Sequence, residues 1–401
     1  MNDNARQENS EIHTDFLNPE LLQKFRDAIN SSVIFTKSEK HKNRYNLTCT
    51  VLDRLDSAIK VLNTFQKVPG TEESVVIFFV YACILRDGID KLYENVFSKK
   101  PPCINDKTLF CNAIDSDGKT CPNTNCPTDD VFFEYLRSLV FAHPFETKYR
   151  KNRVFMRGSE VHYSPEIIPC RYDYPNLSTT DQLGVRVFSS ETYLHKDIFL
   201  SFINLKQYIK KRYEYLSELT EWANNEVLYQ NLEWESDKIE RTDDDIQTLK
   251  NAKSVLEKRY INPYEIDELI NCLSCEISIE SNSFYVNIFR DLIRSLIPDI
   301  CNCIDNLDIN QLDKVISKTY VYPENVEQAL HYQLEKIFSY LTENEIKFEP
   351  GSDVEWALIQ AREFSKGFAK KWVIIKPYEM SYVEIKLLVR TACYLEWSEH
   401  K

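Results

Sequence analysis

At 401 residues, 43% of them hydrophobic and 28% charged, the chain has the composition of a folded protein and the length for two or three domains, which excludes wholesale disorder. A formal net charge of −13 excludes a protein that coats nucleic acid over its whole surface, though it leaves room for a local basic cleft. Only 7 glycines and 15 prolines occur, so long helices are favoured over tight-turned β structure. The expected fold is mainly α: a helical bundle with a small β-hairpin insertion and a C-terminal helical region.

The segment from Met1 to Glu11 is polar, which argues against a signal peptide, and the longest apolar run, Val75 to Leu85, is too short to span a bilayer. A cytoplasmic protein with no membrane partner is expected, and its twelve cysteines then read as reduced thiols.

Asn18-Pro19-Glu20 opens a short helix through about Ile29, with Leu21, Leu22, Phe25 and Ile29 on one side. Leu47, Val51, Leu52, Leu55, Ile59 and Leu62 recur at helical spacing and predict an amphipathic helix to about Phe65. After the Pro69-Gly70 turn, Thr71-Glu72-Glu73 caps a helix to about Phe97, apolar nearly all round from Val75 to Leu85 and so the centre of a bundle. Arg86, Asp87 and Asp90 on it read first as solvated helix surface, and alternatively as groups facing a cleft with Arg137 and His143. Residues 99–127 look like an insertion loop carrying Cys103, Cys111, Cys121 and Cys126, whose spacing lacks the close C-x2-C pair that would make zinc a strong reading.

Thr128 to Pro144, T-D-D-V-F-F-E-Y-L-R-S-L-V-F-A-H-P, has marked ends. Thr128 can cap free backbone N–H groups, Asp129 and Asp130 oppose the positive helix end, and Pro144 stops the helix at Ala142 or His143. At roughly 100° per residue, Arg137 and His143 project about 120° apart and flank a groove. His143 also continues the apolar line of Phe132, Leu136 and Leu139, so it reads either as a histidine closing the core or as a proton-transfer group at a helix end. Arg137 is then an anion binder.

This arrangement of preceding helices, Arg137, five residues and His143 resembles the HEPN superfamily (higher eukaryotes and prokaryotes nucleotide-binding), whose motif is an arginine, four to six residues and a histidine. The resemblance covers about a quarter of the chain. It implies an all-helical domain over residues 1–150 that forms a homodimer, with the Arg and His of both copies meeting in one cleft. It also implies metal-independent cleavage of RNA, of the kind found in bacterial toxin–antitoxin or phage-defence systems, with no cofactor. In that reading His143 moves the ribose protons, Arg137 stabilises the phosphorane, and Ser138 positions the phosphate or the imidazole. Active members usually carry Asn, Asp or His where this chain has Ser138, so the alternative is an inactive HEPN-like binding or scaffold protein that recognises a regulatory protein partner or a nucleotide.

Beyond Pro144 the chain turns basic. Lys148, Arg150, Lys151, Arg153 and Arg157, with Arg171, stand against Glu146, Glu160 and Glu166, a local balance of +3 over residues 144–171. Interleaved with Tyr149, Phe155 and Tyr163, they suit the phosphates and bases of single-stranded RNA. Arg153 to Tyr163 and Gly184 to Ser189 alternate as short strands, making residues 151–200 a basic loop with a hairpin. From about Tyr193 onward, and through a C-terminal domain over residues 201–401, helices are expected, with starts near Asn262-Pro263, Pro323-Glu324 and Ser352-Asp353. Cys272, Cys275, Cys301 and Cys303 have metal-like spacing but sit among Leu269, Ile270, Leu273, Ile297 and Ile300, which points to buried thiols between helices. The chain has no phosphate-cradling glycine loop and no H-E-x-x-H or G-x-S-x-G.

Overall fold

The computed structural model describes residues 15–111, 113–115, 126–147, 161–168, 182–190, 195–321, 328–342 and 351–400. The chain forms two compact units, residues 1–227 and 228–401. Mainly helical structure with a small antiparallel sheet is what forms. Among the described residues no helix is long and apolar enough to cross a membrane.

In the first unit, α1 (Pro19–Asn30) is capped by the Asn18 side chain on Glu20 N, and α2 (Ile34–Lys37) leads into α3 (Lys42–Asn63). Then comes α4 (Glu72–Phe97), whose Thr71 and Ser74 form a reciprocal cap. It is the central helix: Val75, Phe78, Phe79, Ala82, Leu85 and Ile89 are buried against its neighbours α3 and α6 (Phe202–Tyr213). Gly88 lets α3 approach, because a Cβ there would stand 3.0 Å from a methyl of Val51.

The helix expected from Thr128 is present as α5 (Asp129–Arg137), with the Thr128 hydroxyl accepting from Val131 N at 3.3 Å. Asp129 does more than oppose the dipole. Its buried carboxylate accepts from the backbone N–H groups of Thr108, Leu109 and Phe110 at 3.0–3.2 Å, tying the insertion to the start of α5.

The sheet is larger than the expected hairpin. Its strands β1 (Ile114–Asp115), β2 (His162–Ile168), β3 (Gln182–Ser189) and β4 (His195–Ser201) lie antiparallel in the order β1-β4-β3-β2. Of the strand expected over Arg153 to Tyr163 only its end falls on β2; residues 153–160 lie outside those described. The segment 195–201, expected to be helical, is β4, because a short apolar run such as Ile198-Phe199-Leu200 fits a buried strand as well as a helix and only pairing decides. At Gly184 the pairing is close: a Cβ there would stand 2.6 Å from the Phe199 ring.

The boundary expected at residue 200 falls instead inside α7 (Tyr215–Ser236), because α6 gives its Phe202, Leu205, Tyr208 and Ile209 to the core of the first unit. In the second unit follow α8 (Asp245–Lys258), α9 (Tyr264–Ser274), α10 (Ser283–Asp305), α11 (Ile309–Ile316), α12 (Gln328–Tyr340), α13 (Asp353–Lys366) and α14 (Tyr382–Glu399). The starts expected at Asn262-Pro263 and Ser352-Asp353 are present, and Pro323-Glu324 lies outside the described residues. The acidic stretch 237–244 is the turn between α7 and α8, with Asp244 capping α8. Residues Glu384 to Cys393 of α14 are buried without a break, so this helix runs through the middle of its unit.

Candidate functional site

The end of α5 is where the sequence motif becomes geometry. After Arg137 the backbone loosens into one π-turn, Ser138–Ala142, closed by His143 N donating to Ser138 O at 2.8 Å. A π-turn holds one residue more than an α-turn, so everything after it is rotated by about 100° relative to a regular helix. The consequence is specific. Leu139 and Val140 stay buried, while His143 leaves the Phe132–Leu136–Leu139 line and becomes exposed. The core-closing reading of His143 therefore does not hold.

The turn that follows is braced. His143 O accepts from Glu146 N at 3.2 Å and from the Thr147 hydroxyl at 2.8 Å, Pro144 O accepts from Ser164 N at 2.7 Å, and Thr147 exchanges two backbone bonds with His162. His162 in turn meets the Tyr135 hydroxyl at 2.8 Å. On this turn Phe145 is displayed 83% exposed, an aromatic two residues from His143 that the sequence reading passed over. A Phe after a helix-ending proline, where a core residue has no place, was the available signal.

Arg137 is about a third exposed, and its Nη1 reaches Glu134 only at 3.3–3.4 Å, while its Nε has no hydrogen-bond partner. Glu134 is shared, because Arg86 of α4 also pairs with it. Ser138 is buried at 7%, and its contribution to His143 is the backbone carbonyl that receives the histidine N–H. Lys148, Arg150, Lys151, Arg153 and Arg157 lie outside the described residues.

Behind Arg137 runs a network whose burial and cross-helix partners the sequence did not disclose. Arg86, read as solvated surface, is 5% exposed: it lies over the Phe133 ring and donates to Asp87 from Nε and Nη2 at 2.9 and 2.7 Å. Arg212 of α6 is fully buried and pairs with Asp90 at 2.5 Å and with Asp130, whose carboxylate also takes the Tyr208 hydroxyl at 2.6 Å. Burial pushes the Asp90 carboxyl up to about 6 against the pull of Arg212. The residues sit at helical spacing, Arg86 to Asp90 on α4 and Asp130 to Glu134 on α5, so the two helices face each other through charge.

Among the described residues the cysteines do not gather into a metal site. Cys103, Cys111 and Cys275 are half-buried, Cys275 against the expectation of burial, Cys126, Cys272, Cys301 and Cys303 are buried, and burial raises the thiol pKa of Cys103, Cys272, Cys275, Cys301 and Cys303. Cys121 lies outside the described residues. Among those described, the metal-like grouping is Glu396, Glu399 and His400, and these are engaged by Trp372, Lys371 and one another. Compared with known proteins, the chain matches no protein-family model, no curated protein and no solved structure.

Proposed function

We propose that the first unit is a HEPN-like helical domain acting as a metal-independent endoribonuclease, with His143 and Arg137 as its catalytic pair. The observation that carries this reading is the π-turn at Ser138–Ala142, which delivers a histidine to solvent six residues after an arginine with an unsatisfied Nε. Such turns are rare and occur frequently at functional sites.

In this mechanism the His143 imidazole takes the proton from a ribose 2′-OH as the oxygen attacks phosphorus. Arg137 stabilises the charge on the phosphorane, and the 5′ oxygen leaves with a proton from the imidazolium of a second copy in a homodimer. The products are a 2′,3′-cyclic phosphate and a 5′-hydroxyl. Phe145 offers a stacking face for an unpaired base, and Lys148, Arg150, Lys151, Arg153 and Arg157 supply phosphate contacts. Ser138 acts through its backbone, by holding the π-turn.

A second reading, an inactive binding or scaffold protein, is favoured by Glu134, whose charge opposes the two arginines it touches and lowers the attraction for an anion. Purified protein incubated with single-stranded RNA in EDTA separates the two. Cleavage to cyclic-phosphate ends that falls by about 10²–10⁴ in His143→Ala supports the ribonuclease; cleavage unchanged in that variant, or absent from the wild type, removes it.

A further inference from the structure

Two arginines of the first unit meet one carboxylate. Glu134 and Arg137 stand three residues apart on α5, and Arg86 reaches the same carboxylate from α4. The fit is poor on both sides. Arg137 Nη1 lies 3.4 Å from one Glu134 oxygen and 3.3 Å from the other, while its Nε is covered and has no hydrogen-bond partner. Arg86 Nη1 pairs with Glu134 by charge but makes no hydrogen bond, and its Nε and Nη2 are taken by Asp87. With both oxygens near one nitrogen of Arg137, the carboxylate does not match the guanidinium fork, which binds most strongly when two nitrogens each meet an oxygen.

The charges around this point cancel. The Cys83 thiol of α4 feels Arg86, Arg137, Asp87 and Glu134 together, and burial pushes it up to about 12, so it stays neutral. Two cations and two carboxylates remain, and behind them Arg212 is held between Asp90 and Asp130. An incoming phosphate therefore finds no surplus positive charge while Glu134 stays on Arg137. The arrangement is nonetheless open on one side: the Glu134 and Arg137 side chains are 26% and 30% exposed, against 6% for Arg86. Arg137 is the member with room to move.

We propose, resting on the ribonuclease reading above, that Glu134 is a built-in competitor for the substrate phosphate: it holds Arg137 in the free protein, and a phosphodiester of a single strand binds by taking its place. The exchange replaces a mismatched carboxylate with an anion whose two unbridged oxygens meet Nε and one Nη side by side. Nε becomes accessible once the side chain leaves Glu134. The displaced carboxylate keeps Arg86 as its partner, so no buried charge is stranded. Glu134 acts through Arg137 and does not touch substrate. It is a positioning residue that sets how strongly an anion must bind before Arg137 engages it.

The test is the affinity of the full-length protein for a fluorescent single-stranded DNA oligonucleotide, which carries the phosphodiesters but lacks the 2′-OH, followed by anisotropy at fixed ionic strength. Glu134→Gln should bind about two- to fivefold tighter than the wild type, the worth of one partly exposed ion pair. In an Arg137→Ala background the same substitution should bring no gain, because the exchange runs through Arg137. A Glu134 that only braced the helices would weaken binding when replaced. Binding unchanged or weaker in Glu134→Gln overturns the proposal, and so does the absence of DNA binding by wild type and variant alike. A gain that survives in Arg137→Ala overturns it too, since the effect is then the general loss of one negative charge. If Glu134→Gln does not fold, Glu134→Asp draws the carboxylate back from Arg137 and should give a smaller gain; binding no tighter than wild type in that variant overturns the proposal. Cleavage of RNA in EDTA, measured alongside, reports separately on the reading beneath. An Arg137-dependent gain in a protein that cuts no RNA supports the phosphate exchange and removes only the ribonuclease.

Discussion

Both units bury arginine, and they treat it differently. In the first, Arg86 and Arg212 meet Asp87, Asp90, Asp130 and Glu134, so every buried cation has carboxylates around it and the network is anion-rich. In the second, Lys386 and Arg390 both pair with Glu268, and the charge of Glu265 also acts on Arg390. Both networks tie helices together, the first through several carboxylates and the second through one carboxylate of α9 shared by two cations of α14. The first network also has an open edge at Arg137, whose side chain is partly exposed.

The strongest way to break the comparison is Arg212→Met, which strands Asp90 and Asp130 in the interior. Removal of one partner from a buried pair should cost about 3–5 kcal/mol, read as a lower urea midpoint with unchanged slope. A loss under 1 kcal/mol would mean that the network is solvated. Glu268→Gln should cost about 3 kcal/mol, because the neutral amide leaves both buried cations without their carboxylate, and an unchanged urea midpoint would count against this pairing.

Asp90→Asn sharpens the point through pH. Asp90 carries a folded-state pKa of about 6, above its ordinary value of 3.8, so the folded state binds the extra proton and stability from this group falls as pH rises from about 4 to about 6. The asparagine variant should therefore gain relative to wild type across that window and hold its gain above it, as denaturation at pH 4 and pH 7 would reveal. A difference that does not vary with pH would place the Asp90 titration elsewhere. The smallest stability effect belongs to Arg137→Ala, expected under about 1 kcal/mol because its ion pair is long and partly exposed. Cleavage should nonetheless drop about as far as in His143→Ala. An inactive variant that is also strongly destabilised would make Arg137 a structural residue instead.

Caps, helix starts and the central role of α4 were legible because they rest on local chemistry: Thr71, Thr128 and Ser352 each accept from a backbone N–H within three residues, and a helix apolar all round must be buried. The strand β4 was not legible, since three apolar residues do not distinguish a paired strand from a helix. Nor was the burial of Arg86, because a charged residue on a helix reads as surface until its partner on another helix is known.

The same division runs through α5. From sequence alone come its start at Thr128, its stop before Pro144, and the spacing of Arg137 and His143, since each depends on atoms a few bonds apart. Tertiary structure decided that the last turn is π and not α, which turned His143 from the buried line into solvent. It also decided which carboxylate each buried arginine meets, because those partners come from helices distant in the chain, and no periodicity carries that information.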